Sequence, residues 1–178
     1  FTVVDNPAEA DLVIVNRTDS AFAADGQGLD ALPIEIDGVN YNTALVELST
    51  SPGMTDGDFA PGTFGYEVLG HEVAHILGLT HPHENSSNPY VPGAFLGAYQ
   101  YGDFALNQGV YSIMSYLPGF AEKDGHPSVG ELVSIFRPYS TAYGSPQTPM
   151  AVDIAALQEL YGANTTTATG NDTYVLPD

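Results

Sequence analysis

The order of apolar and polar positions predicts short strands in the first third of the chain. Ala10–Asn16 (ADLVIVN) is an apolar run bounded by polar residues, a pattern typical of a buried strand. Two shorter runs, Ile34–Ile36 and Ala44–Leu48, are further strand candidates. Two prolines and three glycines in Ser51–Gly62 then predict a loop.

The period becomes helical from Phe64 to Leu79, and Thr63 can cap this helix at its N-terminus. The apolar stripe of the helix consists of Leu69, Val73, Ile76 and Leu77. Polar residues lie on a different side. If the stripe packs against the sheet, that polar side will face a cleft.

A second helix is predicted near the end of the chain. Pro149 precedes its first turn and Gly162 follows its last turn, which is the usual placement of these two residue types. Its predicted buried face consists of Ile154, Leu157 and Tyr161. Between the two helices the chain is rich in Gly, Pro, Asn and Tyr and lacks periodicity, which predicts irregular structure.

The first helix carries the candidate chemistry, in eleven residues that read HEVAHILGLTH. Residues four apart share a face of a helix, so His71 and His75 can direct ring nitrogens at one point, with Glu72 beside them. Gly78 can adopt positive φ and turn the chain back, which lets His81 join the pair. Three neutral protein ligands leave a fourth position for water, so the pattern predicts a catalytic zinc site rather than a structural one.

Other interpretations of this motif are weaker. The short form HExxH also arises by chance in unrelated helices, where its histidines are ordinary exposed polar residues. The extended form, with a glycine and a third histidine, is far more restrictive. Glu72 stands directly beside a ligand, which makes it the candidate general base.

Composition narrows the classes of function. The 178 residues suffice for one domain with its own core, and the absence of cysteine excludes disulfides and thiolate metal sites. Twenty-two acidic residues against three basic ones give a formal net charge of -19, which repels nucleic acid and anionic lipid surfaces. No apolar run is long enough to cross a bilayer. We therefore expect no nucleic-acid partner and no membrane insertion.

A second motif and a third segment accompany the first. Tyr111–Tyr116 reads YSIMSY, Pro82 directly follows the third histidine, and Pro149–Asn164 reads PMAVDIAALQELYGAN. In this order, these features resemble the serralysin branch of the metzincins. The resemblance covers residues 60–165.

The resemblance implies an α+β fold of the metzincin (zincin-like) type. Such a fold has a twisted mixed sheet, an active-site helix, an irregular lower subdomain with a Met-turn, and a C-terminal helix. His71, His75 and His81 would bind Zn2+, and Met114 would form an apolar floor beneath it. Tyr116 would be a fifth zinc ligand that can swing away and stabilise the tetrahedral intermediate. Without the resemblance, a tyrosine near a turn is more often a packing residue.

The resemblance also predicts the domain organisation. Residues 1–164 would form the protease domain, with an upper subdomain (1–80) and a lower subdomain (81–164). Residues 165–178 would be a tail, in which Gly170–Tyr174 (GNDTY) resembles the start of a calcium-binding region. A single copy of this motif is more often a turn. The N-terminal helix, the first strand and the calcium-binding roll of serralysins have no counterpart here, so we expect either a fragment of a longer product or a trimmed variant whose sheet has lost an element.

Together these features predict a secreted zinc-dependent endopeptidase that hydrolyses peptide bonds through a metal-bound water, with Glu72 as general base. We expect a protein or peptide substrate, a monomer, and Ca2+ as a further candidate cofactor. An extended substrate would pair with an edge strand at Ser20–Ala23. The loop Pro82–Gln108 and the segment after Met114 would determine specificity. His83 and His126 lie in Pro- or Gly-containing loops, and we expect both to be solvent-exposed and outside any ligand set.

Two alternatives from other classes stay open. One is a catalytically silent, metal-dependent binding module that kept the scaffold. The other is a toxin or adhesin component whose partner selects the target. The presence of Glu72 argues against a binding module, because binding alone needs no base.

Overall fold

The computed structural model of the chain describes a small sheet, two helices and the segments that join them to the candidate site. The described residues are 10–18, 23–27, 34–36, 38–41, 43–50, 55–84, 91–94, 98, 100–117, 145–167 and 170. They contain strands, α-helices and two short 3₁₀ turns, at Asp56–Phe59 and Asp103–Ala105. Within them, neither helix is long and apolar enough to cross a membrane.

Five strands form two sheets within these residues. They are β1 (Leu12–Thr18), β2 (Ala23–Gln27), β3 (Ile34–Ile36), β4 (Val39–Tyr41) and β5 (Ala44–Thr50). β5 lies between β1 and β2, parallel to β1 and antiparallel to β2, while β3 and β4 form an antiparallel pair. The larger sheet is therefore mixed, as predicted, and all three apolar runs are strands.

The central and edge strands differ in burial. Leu45, Val46 and Leu48 of β5 are buried, since a central strand can bury side chains on both faces. In β1, by contrast, Ile14 is 51% exposed. The prediction of a buried strand at Ala10–Asn16 is thus wrong for Ile14, because alternate residues of a strand point to opposite faces and this face of β1 is exposed.

Helix α1 spans Phe64–Ile76 and begins at the predicted cap, where the Thr63 hydroxyl accepts a hydrogen bond from the backbone N–H of Tyr66 at 3.4 Å. The helix crosses close to β2. A Cβ atom at Gly26 would lie 2.4 Å from the backbone oxygen of Glu72, so only glycine permits this approach. Strand β2, one of the two edge strands of the described sheet, therefore lies directly beside the helix turn that carries the candidate base.

The predicted apolar stripe is not the most buried side of α1. Its four members are only half-buried, whereas the buried residues are Gly65, Glu67, His71, Glu72 and Ala74. Helix α1 approaches β2 at the backbone of Glu72 and Ile113 at Gly70, and the packing of the apolar stripe against the sheet stays a prediction.

Helix α2 spans Ala151–Tyr161, and Gly162 ends it at φ 81°, as predicted. Leu157 packs against a core cluster that includes Met114, but Ile154 is 46% exposed and Tyr161 is 68% exposed. The predicted buried face is therefore wrong at these two positions, because α2 directs the carboxylate of Asp153 into the interior instead. The division into subdomains at residue 80 stays a prediction.

Candidate metal centre

Helix α1 and the turn after it bring the three predicted ligands together. His71 Nε2 and His75 Nε2 each lie 3.1 Å from His81 Nε2. Gly78 adopts φ 89°, and the next N–H, of Leu79, donates to the carbonyl of Ala74 at 3.0 Å. The helix thus ends in a tight reversal, and this reversal returns His81 to the face that carries the other two rings.

The second ring nitrogen of each histidine faces an oxygen atom. His71 Nδ1 lies 2.8 Å from Ile113 O, His75 Nδ1 lies 2.9 Å from Leu79 O, and His81 Nδ1 lies 2.6 Å from Glu84 Oε1. A carbonyl oxygen or a carboxylate can only accept, so each Nδ1 carries a proton and donates it. In the neutral rings, each Nε2 therefore presents a lone pair to the others.

Three lone pairs at this separation repel one another unless a cation lies between them. A tetrahedral zinc ion with Zn–N bonds of 2.0–2.1 Å would place its nitrogen ligands about 3.3 Å apart, close to the observed separations. Ligand atoms of His71, His75 and His81 all lie within 4.8 Å of one another. The donor set thus fits a single divalent ion bound by three imidazoles, with hydrogen-bonded second nitrogens of the kind that orient metal ligands.

His71 is also in the right protonation state to bind a metal ion. His71 is 8% exposed, and its burial lowers its pKa to about 4. A histidine binds metal as the neutral ring, so His71 is ready to act as a ligand throughout the neutral range.

Glu84 supports His81 and was not among the predicted site residues. Its carboxylate accepts hydrogen bonds from the ring of His81 at 2.6 Å and from the backbone N–H of His81 at 3.0 Å. Desolvation opposes ionisation of Glu84, but these hydrogen bonds outweigh it and lower its pKa. The sequence feature that could have indicated this role is an acidic residue three positions after the third histidine.

Met114 packs in the protein interior beside the end of α1, and its role as a floor beneath the metal stays a prediction. It is fully buried in a cluster with Ala74, Leu79 and Ile113, and Ala74 immediately precedes the ligand His75. The Met-turn therefore packs beneath the end of α1, and its apolar side chain supports the ligand-bearing turn.

Asp153 of α2 holds this turn in place. Its fully buried carboxylate accepts hydrogen bonds from Ser112 Oγ at 2.6 Å, from Ile113 N at 2.7 Å and from Met150 N at 2.8 Å. The carbonyl of Ile113 in turn accepts from His71. Asp153 thus connects α2 to the candidate ligand His71 through Ile113. The apolar pattern of α2 gave no means to predict this role.

The structure describes both predicted catalytic residues. Glu72 is 8% exposed and so is not an ordinary surface carboxylate. Tyr116 is 47% exposed, and its ring centroid lies 4.5 Å from that of His81 and 5.9 Å from that of His71. The structure therefore brings Tyr116 to the rim of the three-histidine cluster, with part of its surface open to solvent.

His83 lies in a different environment from the one predicted. It is half-buried, its Nδ1 is buried without a hydrogen-bond partner, and burial lowers its pKa. Its ring centroid lies 5.3 Å from that of His81 and 5.2 Å from that of Tyr116. The prediction of a solvent-exposed His83 is wrong because the neighbouring Pro82 is fully buried and anchors the turn that carries it.

Other predicted positions fall outside the described residues. These are His126, three of the four residues of Ser20–Ala23, and most of the tail segment Gly170–Tyr174. Ala23 itself begins β2, which is one of the two edge strands of the described sheet. The predicted specificity loop, Pro82–Gln108, is described in part (82–84, 91–94, 98 and 100–108), and these residues contain one 3₁₀ turn but no α-helix.

Known proteins resemble the chain over most of its length. It is 36% identical to a serralysin of Proteus mirabilis over 64% of the chain and 19% of that protein. It is 33% identical to serralysin C of Dickeya chrysanthemi over 76% of the chain and 22% of that protein. It is 31% identical to serralysin B of the same organism over 98% of the chain and 32% of that protein. The chain is a serralysin-like metzincin. No protein-family model and no solved structure gives a significant match.

The serralysin-like chain spans about a fifth to a third of the length of the curated relatives it matches. One of these relatives, 28% identical over 93% of the chain, is a metalloprotease of Pseudomonas entomophila. The relationship therefore supports a metalloprotease and a bound metal, and the three-histidine cluster is compatible with that metal.

Proposed function

We propose that this serralysin-like chain is the catalytic part of a secreted, zinc-dependent endopeptidase. The observation that carries the proposal is the convergence of three imidazole lone pairs, each fixed by a hydrogen bond on the opposite side of its ring, next to the buried Glu72. His71, His75 and His81 would hold the ion. When bound there, zinc would lower the pKa of a coordinated water to about 7 and polarise the substrate carbonyl.

Glu72 would act as the general base. Its carboxylate would accept a proton from the attacking water and then deliver this proton to the amine nitrogen as the C–N bond breaks. Burial beside His71 suits this role, because a carboxylate in a poorly hydrated site exchanges protons with the reactants more readily than with bulk water.

Tyr116 would stabilise the charge that develops on the carbonyl oxygen, by donating a hydrogen bond from its hydroxyl group. Its ring lies against His81, and its partial exposure leaves room for movement. We expect Tyr116→Phe to lower kcat by about 100-fold while the zinc content is retained. Unchanged turnover in this variant would remove the role.

The substrate would bind in extended form along β2. This strand lies at the edge of the described sheet and passes the backbone of Glu72 at Gly26, so a peptide paired with it would run beside the catalytic helix. Such pairing uses backbone groups and is compatible with varied side chains. Monomeric action, secretion and a calcium requirement in the tail belong to the same proposal.

The decisive experiment is cleavage of casein by the purified protein. We expect activity that is lost with a chelator, restored by zinc, and reduced at least about 1000-fold by Glu72→Ala without loss of zinc. Glu159→Ala, which removes an exposed carboxylate from α2, is the matched control and should cleave normally. If Glu72→Ala cleaves as well as the parent, the enzyme proposal is wrong. Zinc binding by a parent protein that cleaves nothing would favour a binding module.

A further inference from the structure

Three aromatic rings pack together beside the metal centre, and one of them, the ring of His81, is part of the three-histidine cluster. The rings of His81, His83 and Tyr116 form a triangle with centroid separations of 4.5, 5.3 and 5.2 Å. The planes of His81 and His83 are inclined by 23°, so these two rings are stacked, whereas Tyr116 meets both at steeper angles. His83 thus packs against both His81 and Tyr116.

The backbone around His83 holds its ring in this position. The carbonyl of Pro82 accepts a hydrogen bond from Val91 at 3.1 Å, and the N–H of Glu84 donates to His81 at 3.0 Å. Pro82 is fully buried on one side of His83, and on the other side Glu84 is bonded to the ring of His81. The turn is therefore fixed at both neighbours of His83.

The contact works through the ring rather than through a hydrogen bond. His83 Nδ1 is buried and has no hydrogen-bond partner, so nothing on that nitrogen directs the imidazole. Packed aromatic rings do attract one another through their faces and edges at these separations. An imidazole held this way limits the directions in which the neighbouring tyrosine ring can turn.

We propose that His83 is a positioning residue for Tyr116. Its ring supports Tyr116 against His81, so that the tyrosine returns to one orientation beside the metal centre after each movement. The inference rests on the proposed function, in which Tyr116 acts on the substrate carbonyl. His83 itself does not touch the reacting atoms.

The kinetic test uses two substitutions at the same position. His83→Ala removes the supporting ring and should lower kcat about two- to tenfold, with KM changed less than twofold, because ring packing of this kind has an effect of that size. His83→Phe keeps a ring but removes both nitrogens, and it should retain at least half of the parent kcat. If His83→Phe is as impaired as His83→Ala, the imidazole nitrogens matter and positioning by packing is wrong. Loss of zinc from His83→Ala would also overturn the proposal, since His83 would then act on the ligands.

A second readout does not depend on hydrolysis. In metal-free protein carrying ¹³C-labelled tyrosine, the NMR signal of Tyr116 can be assigned by its disappearance in Tyr116→Phe. We expect His83→Ala to move the chemical shift of Tyr116 toward the value of an exposed tyrosine. In His83→Phe, the chemical shift of Tyr116 should stay away from that value, as in the parent protein. Phe64→Ala, which removes an aromatic ring seven residues before His71, is the control and should not move it.

The two readouts separate the failure of this inference from the failure of the proposed function. A parent protein that cleaves no substrate would refute the endopeptidase, yet the NMR comparison would still test the contact between His83 and Tyr116. If His83→Ala leaves the Tyr116 signal and kcat unchanged in an active protein, the positioning role is refuted and the enzyme proposal survives.

Discussion

Helices α1 and α2 both bury acidic side chains, but the two helices satisfy them differently. In α1, Glu67 and Glu72 are 5% and 8% exposed, and one carboxylate oxygen of Glu67 has no hydrogen-bond partner. In α2, Asp153 is fully buried and accepts three hydrogen bonds. The large apolar side chains Leu160 and Tyr161 of α2 are more than half exposed.

Helix α1 presents the candidate reactive groups, whereas helix α2 supports the segments that hold them. A buried polar group with all its hydrogen bonds made stabilises the fold, whereas one without a partner destabilises it. The lone pairs of His71, His75 and His81 on α1 and its following turn gain partners only when a cation binds. Asp153 needs no ligand, because the Met-turn satisfies it. The following substitutions test this division, from the largest expected effect to the smallest.

The largest effect is expected for Asp153→Ala. The substitution leaves the buried N–H groups of Ile113 and Met150 without acceptors, and we expect a loss of about 3–5 kcal/mol in the free energy of unfolding. Urea denaturation measures it. Because Ile113 also accepts from His71, the zinc dissociation constant should rise in the same variant.

Asp153→Asn is the matched control. Its amide oxygen can accept from both N–H groups while its NH₂ group donates to Ser112 Oγ, so all three contacts can be kept. We expect this variant to be clearly more stable than Asp153→Ala. Equal destabilisation by the two variants would show that the negative charge, and not the set of hydrogen bonds, holds the Met-turn.

Gly26→Ala is expected to have the next largest effect. The new methyl group would meet the backbone oxygen of Glu72 at 2.4 Å, and a helix backbone cannot move aside without displacing the site. We expect a loss of about 1–3 kcal/mol in unfolding free energy, together with reduced casein cleavage. Gly57→Ala is the control, since its methyl group would only meet the side chain of Thr55 at 3.4 Å. Similar stability in both variants would refute the close contact of β2 with α1.

Glu67→Gln should stabilise the protein, and the gain should depend on pH. Burial raises the pKa of Glu67 above its ordinary value of 4.5. The native carboxyl group therefore favours the folded state below that value, and this contribution is lost as the pH rises through the raised pKa. Glutamine stays neutral, so the variant should be more stable by about 1 kcal/mol at pH 7, with a smaller advantage near pH 4.

Urea denaturation of Glu67→Gln at several pH values measures this effect. Glu159→Gln removes an exposed carboxylate from α2 and controls for the change in net charge. The stability difference between Glu67→Gln and the parent should grow with pH. If it does not, the carboxylate of Glu67 has its hydrogen bonds in the folded protein, as Asp153 of α2 has.

The parts of the site that could be predicted from the sequence are those set by local geometry. The helical period places His71 and His75 on one face, and Gly78 returns the chain so that His81 can join them. The Thr63 cap and the strands follow equally local patterns. Each of these features depends on residues that are near neighbours in the chain, so no knowledge of the tertiary structure was needed.

The parts that could not be predicted depend on contacts between distant segments. The partner of His71 Nδ1 is a carbonyl 42 residues later, and Asp153 reaches Ser112 across 41 residues. His83 looked like a loop residue, but the burial of Pro82 carries it against Tyr116. Apolar periodicity also failed for Ile154 and Tyr161 of α2, because this helix buries the carboxylate of Asp153 instead.

The smallest expected effect concerns the apolar residues of α2. Ile154 is 46% exposed, whereas Leu157 packs against the cluster that contains Met114. We expect Ile154→Ala to change the unfolding free energy by about 0.5 kcal/mol or less, because little apolar area is lost and alanine favours the helix. Leu157→Ala should cost about 2 kcal/mol, since it removes part of the packing beneath the Met-turn. If urea denaturation shows equal losses, Ile154 is buried in solution, and the support given by α2 to the metal centre is apolar as well as polar.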